Sequence, residues 1–183
     1  MARTVGMNAR IAAPPPRTLL PAALACALLL ASHHPASAAG GAPIRAAIAE
    51  FDNHDTSGEL PERAAAHADL VAGFSGLLRE RLGREPEFQV VALACPAEPC
   101  TAGTVAPDEL IAAAREAGAR ILVYGGVHKM STLVQMGKFQ AVDLEKETLL
   151  VDRSFSFRGD NAEAFRRAAD FLARYLEEAA PSL

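Results

Sequence analysis

The segment Ile121-Leu-Val-Tyr-Gly-Gly-Val127 is apolar at both alternating sets of positions, so neither face of it can be left in water. A short run of this kind predicts a central strand with cover on both sides of its sheet. Gly125 and Gly126 within it predict a bulge or a close backbone approach. They do not read as a phosphate loop, because no helix follows and the Gly-x-Gly-x-x-Gly spacing is absent.

The flanking segments supply the rest of such a domain. Ile44-Arg-Ala-Ala-Ile-Ala-Glu-Phe51 reads as a strand that ends in the polar loop Asp52-Asn-His-Asp-Thr-Ser-Gly58. Leu70, Phe74, Leu77, Leu78 and Leu82 recur at helical spacing and predict a helix from about Glu62 to Leu82, with Gly83 as its stop. A second strand, Glu87 to Ala94, leads into the loop Cys95-Pro-Ala-Glu-Pro-Cys100. Pro107-Asp108-Glu109 then opens a helix: proline suits the first turn and acids complement its positive end. Gly118 closes it.

After the central strand, Val134–Leu144 and Leu149–Arg158 read as a hairpin. Asp160, with Glu163 three residues on, is placed as the cap of a last helix whose stripe is Phe165, Ala168, Ala169, Leu172 and Leu176. The order β-α-β-α-β-β-β-α predicts an α/β mixed sheet of about five strands, with helices mainly on one face.

The N-terminus is of another kind. Residues 1–17 hold Arg3, Arg10 and Arg17 and no acid, and the apolar run Thr18–Ala31 follows. That run is shorter than the ~20 residues a bilayer span needs, and Ala36-Ser37-Ala38 is a small-residue cleavage pattern. We therefore expect residues 1–38 to be a signal peptide cleaved after Ala38, residues 39–43 a leader, and 44–180 one domain working in the periplasm or outside the cell. No membrane span is expected in the mature form. Cleavage would remove three of the 18 Lys and Arg and none of the 22 Asp and Glu, taking the net charge from −4 to −7. Nucleic-acid and anionic-lipid binding call for the opposite sign.

Three readings of chemistry are open. Cys95 and Cys100 are the two cysteines left after cleavage, and in an oxidising compartment they read first as a structural disulfide. A catalytic dithiol has two intervening residues at a helix start, and here there are four; a redox pair, a metal site or free thiols are the alternatives. Asp52, His54 and Asp55 lie just past a strand end, where open sheets bind ligands, and are the candidate ligand or metal residues; His67 and His128 can complete a composite site. The competing reading is a solvated turn. No Gly-x-Ser-x-Gly or His-Glu-x-x-His motif is present, and no catalytic residue or cofactor is assigned. Tyr124, Phe139, Phe155 and Phe157 read as core, with the hairpin edge as a place for a partner strand.

The chain resembles a family of small secreted proteobacterial proteins grouped as domain of unknown function DUF2380, with a sister group DUF3280. The resemblance lies in Phe51-Asp52 to Asp55-Thr56-Ser57, the loop cysteine pair, and Gly118-Ala119-Arg120 leading to Gly125-Gly126-Val127-His128-Lys129. It continues in the hairpin around Val142–Leu150 and in Phe157-Arg158-Gly159-Asp160-Asn161 before the last helix. The order of elements also resembles the amino-terminal domain of TolB and the periplasmic lipoproteins LpoB and CsgG. That likeness implies a non-catalytic binding or assembly domain with a cell-envelope protein as partner. The alternatives from other classes are a small-molecule or metal-binding accessory protein of a periplasmic oxidoreductase, and a thiol-disulfide redox protein using Cys95 and Cys100.

Overall fold

The computed structural model describes residues 42–183; the expected signal peptide and its cleavage site at Ala38 lie outside the described residues. The elements run β1 (Ile44–Ile48), β2 (Asp52–Asp55), α1 (Pro61–Leu82), β3 (Phe88–Val91), α2 (Pro107–Glu116), β4 (Ile121–Lys129), β5 (Val134–Asp143), β6 (Thr148–Arg158) and α3 (Ala162–Ala179), with a short 3₁₀ turn at Ala180–Ser182. The sheet has six strands in the order β3-β1-β4-β5-β6, and β2 pairs with β4. β1 is parallel to β3 and β4, while β4, β5 and β6 form an antiparallel meander.

The apolar run is the central strand. Ile121, Leu122, Val123 and Val127 are all buried. One face of β4 carries Ile121, Val123 and Val127 into a core with Phe74 and Leu78 of α1 and with Phe165 and Leu172 of α3. On the other face Leu122 meets Leu110 and Ala114 of α2, with Cys100, Val105 and Leu144. Two helices thus cover one face and the third covers part of the other. The crossovers explain this. The step from β1 to β3 and the step from β3 back past β1 to β4 run in opposite directions along the sheet. Right-handed crossovers of opposite direction place their helices on opposite faces.

Close packing, not a bulge, explains the paired glycines. A Cβ at Gly125 would overlap the Lys138 carbonyl of β5 and come within 2.9 Å of the Phe51 ring, and one at Gly126 would press on Asp52. The register shift lies elsewhere, between Ala141 and Val142.

Two expectations are corrected. The polar segment after the first strand is itself a strand: Asp52–Asp55 pairs in parallel with Gly126–Lys129. The chain leaves the sheet only over Ala49–Phe51, where Glu50 N–H donates to Cys100 O (2.8 Å) and Phe51 N–H to Ser75 Oγ (3.1 Å). The cap of α3 is Asn161, whose side chain accepts from Ala164 N–H at 3.0 Å. Asp160 is drawn away to two partners described below.

Candidate functional site

Cys95 and Cys100 form a disulfide, with Cα atoms 5.6 Å apart. Its loop closes the α2 face of the sheet: Cys100 is buried, Thr101 bridges to Glu50, and Gly103 N–H donates to Asp52 Oδ1 at 3.2 Å. Neither sulfur lies at a helix start, since α2 begins seven residues after Cys100. The helix-end field that lowers a catalytic thiol pKa is therefore missing at this pair.

Strand alternation separates the candidate ligands Asp52, His54 and Asp55. Because β2 pairs Asp52 with Gly126, His54 with His128 and Asp55 with Lys129, Asp52 and His54 share the face that α2 leaves partly open, while Asp55 turns to the helical side. His54 and His128 come together, with ring centroids 4.6 Å apart. His67, a buried residue of α1, lies on the other side. Among the described residues no three His, Cys, Asp or Glu side chains converge to hold a metal ion.

On the helical side lies a polar cluster that sequence reasoning missed. Lys129 is fully buried; its Nζ donates to Asp160 Oδ2 at 2.6 Å and also to Glu59 Oε2. Asp160 Oδ1 meets Nδ1 of the buried His67 at 2.7 Å. Burial works against both charges in the Lys129–Asp160 pair. Burial is the largest single influence on each, and only the partners together outweigh it: Asp160 and Glu59 hold the lysine above its ordinary pKa, and Lys129 and His67 hold the Asp160 carboxyl below its own. The Lys129 hydrogen bond likewise holds the Glu59 carboxyl below its usual range. His67 Nε2, Asp55 Oδ2 and both amide atoms of Gln135 have no hydrogen-bond partner among the described residues. A signal for Lys129 was present in its phase, since it follows Ile121, Val123 and Val127 at steps of two and must share their buried face.

The largest unpaired backbone edge belongs to β6, an eleven-residue strand at the end of the sheet. α3 runs beside it and leaves a groove. One part, about 280 Å³, is lined by Phe155, Phe157, Ala164, Ala168, Phe171 and Arg158. Further along the same strand and helix a part of about 630 Å³ is lined by Leu149, Arg153, Tyr175 and Glu178. Leu149 of β6 and Phe171 of α3, one in each part of the groove, are 50% and 40% exposed.

Arginines predominate among the charged side chains along the groove. The Arg153 guanidinium lies 5.7 Å over the Tyr175 ring and that of Arg174 5.7 Å over Phe171. Asp152 is taken by Lys138, and Glu163 and Asp170 by Arg166, which leaves Glu178 as the lining carboxylate without a cation partner among the described residues. Arg153, Arg158 and Arg174 have no acidic partner among the described residues.

A family model described as a protein of unknown function (DUF2380), family DUF3280, matches residues 44–176. No curated protein shows significant sequence similarity to the chain. Among solved structures it is similar to TolB from Acinetobacter baumannii, with a TM-score of 0.52 and 16% identity over 79% of this chain and 30% of that one. It is also similar to the hypothetical protein CT253 from Chlamydia trachomatis, with a TM-score of 0.54 and 10% identity over 78% of this chain and 100% of that one. The LpoB C-terminal domain from Salmonella enterica aligns at a TM-score of 0.44 and 14% identity, over 62% of this chain and 81% of that one. At such identities the likeness is one of fold. The chain spans about 30% of the length of the TolB chain it matches.

Proposed function

Because the chain belongs to the DUF3280 family, whose members have no assigned function, its activity has to be read from its own surface, and we propose that it is a non-catalytic binding domain that takes an extended, acidic segment of a cell-envelope protein along the free edge of β6. The observation that carries this reading is the edge itself. Alternate residues of the eleven-residue β6 turn unpaired backbone groups outward beside a groove that is apolar around Phe155, Phe157 and Phe171, and three arginines without acidic partners among the described residues stand along it.

Each part has a physical role. Main-chain hydrogen bonds to β6 supply affinity that is blind to sequence, while Phe155, Phe157, Ala168 and Phe171 accept apolar side chains at alternate positions of the added strand. Arg153, Arg158 and Arg174 select acidic side chains and raise the rate of encounter. Such an edge left uncovered is a template for association, and arginines along it also discourage pairing with a second copy of itself. The expected N-terminal export segment supports a partner in the cell envelope.

The test is crosslinking in the intact envelope. Wild-type protein and the variants Arg153→Glu and Phe171→Asp are compared, with Glu109→Lys on the opposite face as control. We expect one specific adduct that both groove variants lose and the control keeps, and a crosslinked partner peptide rich in Asp or Glu. An adduct that survives both groove variants, or none above background, contradicts the reading.

A further inference from the structure

The pairing registers place three metal-ligating side chains in one row across the sheet. His54 of β2 is opposite His128 of β4, and His128 is opposite Met136 of β5. Residues opposite one another in a sheet project from the same face, so the two imidazoles and the thioether stand together on the side that α2 leaves uncovered. They line a cleft of about 290 Å³ with Asp52, Gly126 and Lys138. Gly126, two residues before His128 on the same face, keeps the space above the row clear of a side chain. Met136 is 41% exposed, which is unusual for a methionine that packing alone would place.

The donor set selects the kind of ion. Among the described residues no third His, Cys, Asp or Glu joins this pair as a metal ligand, so the donors seen are not those of the closed four-donor sites that structural zinc takes. The third donor is a thioether, a soft ligand that suits copper(I) and adds little for hard divalent ions.

One imidazole is also held for the task. Thr56 Oγ1 lies 2.6 Å from His128 Nε2 and 3.4 Å from Lys129 O. A hydroxyl proton directed at the Lys129 carbonyl would leave Oγ1 to accept from Nε2–H, the tautomer that keeps the lone pair on Nδ1. A hydrogen bond from the far ring nitrogen to an oxygen is the usual way a ligating histidine is oriented. We propose that His54, His128 and Met136 form a surface site for a soft monovalent ion of the copper(I) class. The site is on the opposite face from the buried Lys129 cluster and stands independently of the β6 groove.

The experiment titrates the purified, disulfide-bonded protein with copper(I) against a chromophoric copper(I) chelator, and in parallel with silver(I) while following the histidine ring and methionine methyl NMR signals. One equivalent is expected to bind, shifting His54, His128 and Met136 together. Met136→Leu, which keeps the side-chain volume, weakens binding by about tenfold or more, and Thr56→Val by about tenfold through the orienting bond. Met130→Leu, an exposed methionine outside the row, leaves affinity unchanged. The proposal is overturned if no ion binds at micromolar concentration. It is equally overturned if Met136→Leu binds as wild type, if Met130→Leu is the weaker variant, or if zinc(II) binds as tightly as copper(I).

Discussion

Replacing Asp143 with asparagine isolates the best-defined ion pair in the fold. Asp143 is 1% exposed at the end of β5. Its Oδ1 accepts from Arg120 Nε (2.9 Å) and its Oδ2 from Arg120 Nη2 (3.0 Å). Oδ1 also accepts the backbone N–H groups of Glu145 (2.9 Å) and Lys146 (3.0 Å), closing the turn between β5 and β6. The hydrogen bond from Arg120 is the main reason the carboxyl is held down from 3.8 to about 2; burial opposes it and the turn N–H groups add to it. At 1.36 kcal/mol per pH unit the shift corresponds to about 2 kcal/mol, a ceiling because Arg120 is partly exposed. A carboxyl whose folded pKa is depressed stabilises the fold above its unfolded value and loses that stabilisation as pH falls through the folded value. Wild type should therefore exceed Asp143→Asn by about 2 kcal/mol at neutral pH, and the gap should close between about pH 4 and pH 2. In urea unfolding followed by far-ultraviolet circular dichroism, that gap appears as a midpoint difference of about 1 M. A difference that is the same at pH 7 and pH 2, or a neutral-pH difference below about 0.5 kcal/mol, refutes the reasoning.

Three further perturbations separate other contributions. A Cβ at Gly137 would overlap the Phe155 ring and lie 2.6 Å from Gly126 O, so Gly137→Ala should cost about 3 kcal/mol in denaturant unfolding; a cost under 1 kcal/mol means β5 can shift and the close packing is not needed. Lys129→Met leaves the Glu59 and Asp160 carboxylates without their shared cation and should cost about 3 kcal/mol at pH 7, with the deficit shrinking toward pH 4 as the two carboxyls protonate; a deficit that grows on acidification contradicts the charge assignment. Joint Cys95→Ser and Cys100→Ser substitution should lower stability by about 2 kcal/mol and leave partner binding intact, and loss of binding at unchanged stability would favour a redox role for the pair.

What could be read in the sequence follows from how local its cause is. The run Ile121–Val127 announces a buried strand because both of its faces are apolar, and the stripe Phe165, Ala168, Ala169, Leu172 and Leu176 marks α3 because one helix face must meet the core. The strand β2 was hidden. Asp-Asn-His-Asp has the composition of a turn, and its pairing with Gly126–Lys129 is set by a segment some seventy residues away. The same pairing decides that Asp55 parts from Asp52 and His54, a consequence of alternation that is visible only once the segment is known to be extended. Asp160 stands where a helix cap is expected, yet the buried Lys129 claims its side chain and Asn161 takes the cap. The row His54, His128 and Met136, and the groove between β6 and α3, exist only through register and packing among distant segments.

Amide hydrogen exchange of β6 in the crosslinked complex tests the proposed function most directly. In the free protein, the β6 N–H groups facing away from β5 should exchange rapidly, because no strand among the described residues covers that edge. With the partner bound, the account predicts that these groups slow by at least about a hundredfold over several alternate residues between Thr148 and Arg158, the pattern of an added strand. Protection confined to the α2 face, or β6 amides that exchange as fast in the complex as alone, would contradict it.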